Sequence, residues 1–147
     1  MKKMLVCLDG SRRERGVLDA AIALARKTGA DLVLLRSVGL PHDLPPELYT
    51  LSPQELPHVL ERRAYAELES LSATLPVALR RTVRVVIGTP WQAIDRVARE
   101  EDVDMIVVGS HGYDGLDRLI GTTAAKVVNH ADRAVLVVRA PERLTKE

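Results

Sequence analysis

A chain of 147 residues, 46% hydrophobic and 28% charged, has the size and balance of one globular domain with a real core, expected to span residues 1–147. A formal net charge of +1 and scarce aromatics (one Trp, three Tyr, no Phe) exclude the basic footprint and stacking platforms of nucleic-acid binding, and argue against an anionic membrane surface. The single cysteine, Cys7, excludes a disulfide framework, and no apolar run is long enough for a signal peptide or a membrane span, so a cytoplasmic protein is expected, without nucleic acid or membrane as partner.

Met4 to Leu8 (MLVCL) is a short apolar run closed by Asp9-Gly10, the pattern of a strand buried on both faces. Glu14 to Lys27 follows, with Val17, Ala20, Ala21, Leu24 and Ala25 at helical spacing. Ser11 is placed to cap its start, and Gly29 sits just past its end. Asp31 to Val38 (DLVLLRSV) reads as a second buried strand.

Leu40 to Pro57 holds five of the eight prolines, which predicts an irregular surface loop over about 39–56. Its length suggests a lid or an insertion as readily as a passive connection. A helix is expected over Leu56 to Leu75, with Leu60, Ala64, Leu68 and Leu71 as its apolar stripe. Arg81 to Gly88 reads as a strand, and the pairs Arg62-Arg63 and Arg80-Arg81 read as solvated faces. Thr89 is placed as a cap and Pro90 as the first residue of a helix that buries Ala93, Ile94, Val97 and Ala98. Asp104 to Gly109 is another strand, Ala124 to His130 a helix, and Ala134 to Arg139 (AVLVVR) the last strand. Strands alternating with helices call for a parallel sheet covered on both faces, in which ligands bind at the carboxyl ends of the strands.

At those ends stand Asp9-Gly10-Ser11, Ser37-Val38-Gly39, Gly88-Thr89-Pro90 and Gly109-Ser110-His111-Gly112. The last group opens a glycine-rich segment that reaches Gly121-Thr122-Thr123, where the final helix begins. A helix start offers unpaired N–H groups and a partial positive charge; glycine lets a phosphate approach them and threonine adds a hydroxyl. This is neither a Walker A loop nor a GxGxxG fingerprint. On spacing alone the glycines serve turns as readily as a phosphate.

Three stretches resemble the universal stress protein family over nearly the whole chain: MLVCLDGS, VVIGTPWQAI and IVVGSHGYDGLDRLIGTTAAKVVNHADRAVLVVR. The resemblance is to the family's ATP-binding branch. It implies an α/β fold with a five-stranded parallel sheet in the order 3-2-1-4-5, helices on both faces, and a homodimer through the last strand, about 134–139. It implies ATP as ligand, with or without Mg²⁺. By position it assigns Cys7, Leu8 and Asp9 after the first strand, Ser37 beside the adenine, Val108, Gly109, His111 and Gly112 in the first half of the signature, and Gly121, Thr122 and Thr123 in the phosphate-binding half. The branch places nine residues between its second and third glycines; here eight, Tyr113 to Ile120, lie between Gly112 and Gly121.

Arg118 is the only cation inside the signature, and no second acid pairs with Asp9. Phosphoryl transfer asks for more than that. The expected function is an ATP-binding sensor or signalling module that hydrolyses slowly or not at all. The alternative is a nucleotide-free stress protein acting through dimerisation.

Overall fold

The computed structural model describes residues 1–39, 50–52, 54–110 and 120–139. In chain order the elements are β1 (Lys3–Cys7), α1 (Glu14–Thr28), β2 (Asp31–Val38), α2 (Glu55–Ser72), β3 (Arg81–Ile87), α3 (Pro90–Glu100), β4 (Met105–Gly109), α4 (Thr122–His130) and β5 (Ala134–Val138). The strands form one five-stranded sheet in the order β3-β2-β1-β4-β5, and every neighbouring pair is parallel. β1 lies at the centre, with Leu5 paired to Val33 of β2 on one side and to Ile106 of β4 on the other.

Side chains alternate across the pleat and build two cores. Met4, Val6 and Leu8 pack with Val17, Leu18, Ala21 and Ala25 of α1 and with Leu68 of α2. Leu5, Val33, Leu35, Ile106 and Val108 pack on the other face against Ala93, Ile94, Val97 and Ala98 of α3 and Ala124 and Val127 of α4. Because both faces are covered, the central strands need apolar residues at every position, and so they read as continuous runs. Leu18, outside the helical stripe expected from spacing, is fully buried.

Local chemistry sets most boundaries. Gly29 closes α1 in the left-handed region at φ 76°, its N–H donating to the Ala25 carbonyl at 2.7 Å. Thr89 is extended (φ −65°, ψ 127°) ahead of Pro90 in the first turn of α3, as expected, although its side chain makes no capping bond.

Four expectations need correction. Ser11 does not cap α1: the helix starts at Glu14, and the Ser11 hydroxyl accepts from the Arg13 N–H at 3.2 Å instead, closing a tight turn before the helix. The proline-rich loop ends sooner than 56, because Ser52 and Glu55 exchange side-chain bonds with each other's N–H groups and start α2 at Glu55. Residues 40–49 and 53 of that loop lie outside the described residues. The range Ala124 to His130 is two residues short: the last helix starts at Thr122, as the glycine segment implied, since Gly121 is extended and its carbonyl already accepts the Ala125 N–H. Finally, Arg81 is no solvated charge: its guanidinium donates to the carbonyls of Ser72, Pro76 and Leu79 and to the Ser72 hydroxyl, gathering the α2–β3 turn. Arg80 does face solvent, against Asp31.

Candidate functional site

The strand order reverses between β1 and β4, each of which sends its following helix to a different face of the sheet. Such a switch point leaves a crevice at the carboxyl ends. A cavity of about 420 Å³ occupies it. Its walls come from the end of β1 (Cys7, Leu8, Asp9), the end of β4 (Val108, Gly109), β2 (Leu35, Ser37), α1 (Val17), α3 (Pro90, Ile94) and the first turn of α4 (Thr122, Thr123, Ala124).

Eight of the residues expected at a site therefore meet around one space: Cys7, Leu8, Asp9, Ser37, Val108, Gly109, Thr122 and Thr123. Gly121 is the extended residue immediately before α4. His111 and Gly112 lie outside the described residues. The apolar lining of Val17, Leu35 and Ile94, together with Pro90 and Ala124, was not anticipated; Val17 and Ile94 read from spacing as ordinary core positions.

The glycine segment is closed at its base. The Gly121 N–H donates to the Ser110 carbonyl at 3.1 Å, and the Ser110 N–H donates to the Val138 carbonyl at 2.9 Å. Ser110 and Gly121 are thereby held together beside the end of β4, and Thr122 and Thr123 line the cavity. On the far side the Ser37 hydroxyl donates to the Gly88 carbonyl at 3.0 Å, holding the ends of β2 and β3 together.

The electrostatics are spare. Among the described lining residues Asp9 carries the only carboxylate, and no lysine or arginine is present. The Ser11 N–H donates to Asp9 Oδ1 at 3.0 Å and sets the carboxylate's direction. Arg36, next to Ser37 in sequence, is turned away into ion pairs with Glu14 at 2.8 Å and Glu67 at 2.7 Å. Burial pushes the Cys7 thiol well above its ordinary range, so it is a neutral wall group. Thr122 and Thr123 open a helix whose first N–H groups have no intrahelical acceptor. The cavity thus offers an apolar slot at one end and hydrogen-bond donors suited to an anion at the other. Among the described residues no three His, Cys, Asp or Glu side chains gather as a metal cluster.

The model of the universal stress protein family matches residues 1–139. The chain belongs to that family. Universal stress protein A homolog 1 of Coxiella burnetii is 29% identical over 138 residues, which cover 93% of this chain and 95% of that protein. The solved structure of the protein MJ0577 from Methanocaldococcus jannaschii superposes with a TM-score of 0.77 at 25% identity, covering 95% of this chain and 96% of the other. A universal stress protein solved in complex with cAMP shares the fold at a TM-score of 0.63 and 22% identity, covering 95% and 98%. Among the described residues no helix is long and apolar enough to cross a membrane.

Proposed function

We propose that the cavity at the β1/β4 switch point binds an adenine nucleotide, ATP foremost, and that the protein acts as a stress-response sensor or signalling module through that binding. The observation that carries this reading is the pairing within one space of an apolar slot (Val17, Leu35, Ile94, Val108) with the N-terminal turn of α4 at Thr122 and Thr123. A planar base suits the first and a phosphate chain the second. The relative solved with cAMP supports it, since that ligand is an adenine nucleotide held by the same fold.

Mg²⁺ would arrive with the phosphates, which supply most of its ligands, and Asp9 is the lining carboxylate suited to it. Turnover is slow or absent in this reading, because the described walls present neither a cationic clamp nor a base beside Asp9. The protein also pairs with a second copy through β5. That strand ends the sheet, and its residues Val135 to Val138 are half-exposed. Nucleotide-free action through this dimer is the second reading, and the open β5 edge is what favours it.

The test is mass spectrometry of nucleotide released from purified protein, with calorimetric titration of ATP and AMP. The expected result is binding, with ATP tighter than AMP. Absence of binding by either at millimolar ligand would sink the nucleotide reading. Gly121→Val is the paired variant: Gly121 sits at φ −62° and ψ 162°, which any residue adopts, so a sharp loss of affinity in a variant that circular dichroism shows folded reports lost phosphate access. Light scattering at micromolar protein should give a dimer, and a monomer overturns pairing through β5.

A further inference from the structure

We infer that Arg36 is a positioning residue for the nucleotide site: it holds the turn from Leu8 to Ser11, and with it the wall that Leu8 and Asp9 present to the cavity. This rests on the nucleotide reading above.

Arg36 is 7% exposed and follows the apolar run Leu32 to Leu35 of β2. A charge so placed is costly unless its donors are used. Here two of its nitrogens serve the β1–α1 turn and the third pairs with α2. Nε donates to the Leu8 carbonyl at 3.2 Å. Nη2 donates to Glu14 Oε1 at 2.8 Å, and that same oxygen accepts the Gly10 N–H at 3.0 Å. Nη1 donates to Glu67 of α2 at 2.7 Å.

The guanidinium also lies against the turn. Gly10 is left-handed at φ 82°, and a Cβ placed there would meet Arg36 Cζ at 3.6 Å. One planar group therefore fixes the Leu8 carbonyl directly, fixes the Gly10 amide through Glu14, and packs against Gly10 itself. Asp9 is caught within this frame, its carboxylate set by the Ser11 N–H.

Arg36, Glu14 and Gly10 do not line the cavity, whereas Leu8 and Asp9 do, so Arg36 acts through the wall it orders rather than by touching ligand. A preformed wall avoids the entropic penalty of ordering the turn when ligand arrives. Lysine does not reproduce this: its donors sit on one nitrogen, without the planar fork that reaches the Leu8 carbonyl from Nε and Glu14 from Nη2. Glu67 is mostly exposed and reaches only the guanidinium, so it contributes to the network without ordering the turn.

The experiment measures ATP affinity by calorimetry for the wild type, Arg36→Lys, Glu14→Ala and Glu67→Gln, at a temperature where circular dichroism shows each fully folded. Under that condition lost stability alone leaves the dissociation constant unchanged. Leu68→Ala, a core truncation away from the cavity, is the control for stability. Hydrogen exchange of the Gly10 amide is read in parallel, without nucleotide.

Arg36→Lys and Glu14→Ala are expected to weaken ATP about tenfold and to speed Gly10 exchange, while Glu67→Gln and Leu68→Ala stay within about twofold of wild type. Wild-type affinity in Arg36→Lys, or unchanged Gly10 exchange, overturns the inference while leaving the nucleotide reading intact. Absence of binding by the wild type overturns both. If Arg36→Lys does not fold, Glu14→Ala decides: normal affinity and normal Gly10 exchange there overturn the inference.

Discussion

The Trp91 indole lies against the His130 imidazole, with ring centroids 4.5 Å apart and planes inclined by 24°. The contact joins the first turn of α3 to the last turn of α4. Lys126 adds its ammonium 5.7 Å from the Trp91 ring centre. Pro90 and Thr122, which open those two helices, both line the cavity. The stack therefore braces the two helices on one side of the site, and it gives His130 a role that its place in the sequence did not suggest.

Removing this brace has a measurable consequence. His130→Ala should lower the unfolding free energy by about 1 kcal/mol, the range of an aromatic stack beyond its buried area. Urea denaturation followed by circular dichroism checks it. A variant as stable as the wild type would show the stack to be incidental.

The two threonines at the start of α4 are exposed, so replacing them leaves the cores intact. The pair Thr122→Val with Thr123→Val should weaken ATP by roughly tenfold to a hundredfold, the scale of one lost hydrogen bond to a charged group. Adenosine, which has no phosphate, should bind equally to wild type and variant. An equal loss for both ligands would place the hydroxyls beside the nucleoside instead.

Cys7 lines the cavity, and burial keeps its thiol protonated far into the alkaline range. Iodoacetamide at pH 8 should modify it slowly in the native protein and rapidly in urea. Millimolar ATP should slow the native reaction further. Mass spectrometry over time gives the rates, and the same native rate with and without ATP would remove Cys7 from the contact surface.

Asp104 supplies the clearest pH dependence. It accepts the N–H groups of Lys2 at 2.7 Å and Lys3 at 3.0 Å, and these bonds lower its carboxyl below the ordinary range. A native value below the unfolded one contributes stability above the ordinary Asp value of about 3.9, and that contribution is lost as pH falls through the lower native value. Asp104→Asn should therefore be less stable than wild type at pH 7, with the gap closing toward pH 3. Urea unfolding at pH 7, 5 and 3 reads this directly, and a gap that persists at pH 3 would contradict it.

Much of the fold was legible because its signals are local. The apolar runs of β1, β2 and β4 announce strands covered on both faces. Gly29 and Pro90 mark a helix end and a helix start by backbone geometry that few residues share. The candidate site was legible for a related reason: a parallel sheet gathers whatever follows its strands at one edge, so Asp9, Ser37, Gly109 and Thr122, which line one cavity, could be grouped before any contact was known.

What stayed hidden depends on partners distant in the chain. Arg36 looks like one cation in an apolar strand, and only packing brings it to Glu14, 22 residues away, and to Glu67, 31 residues away. Arg81 looks like half of an exposed basic pair until the α2–β3 turn folds its carbonyls around the guanidinium. The glycine signature groups Ser110 with Gly121, but not the hydrogen bond from the Gly121 N–H to the Ser110 carbonyl that joins them.

By itself the sequence determined the element order, the two buried faces and the residue types available at the carboxyl edge. Periodicity and turn chemistry act over a few residues and can be read in line. The tertiary structure decided which charges are buried, which helix start closes on the crevice, and how the β1–α1 turn is held. Those outcomes depend on distances between segments that meet only when the sheet forms, and burial then leaves each polar group few partners to choose from.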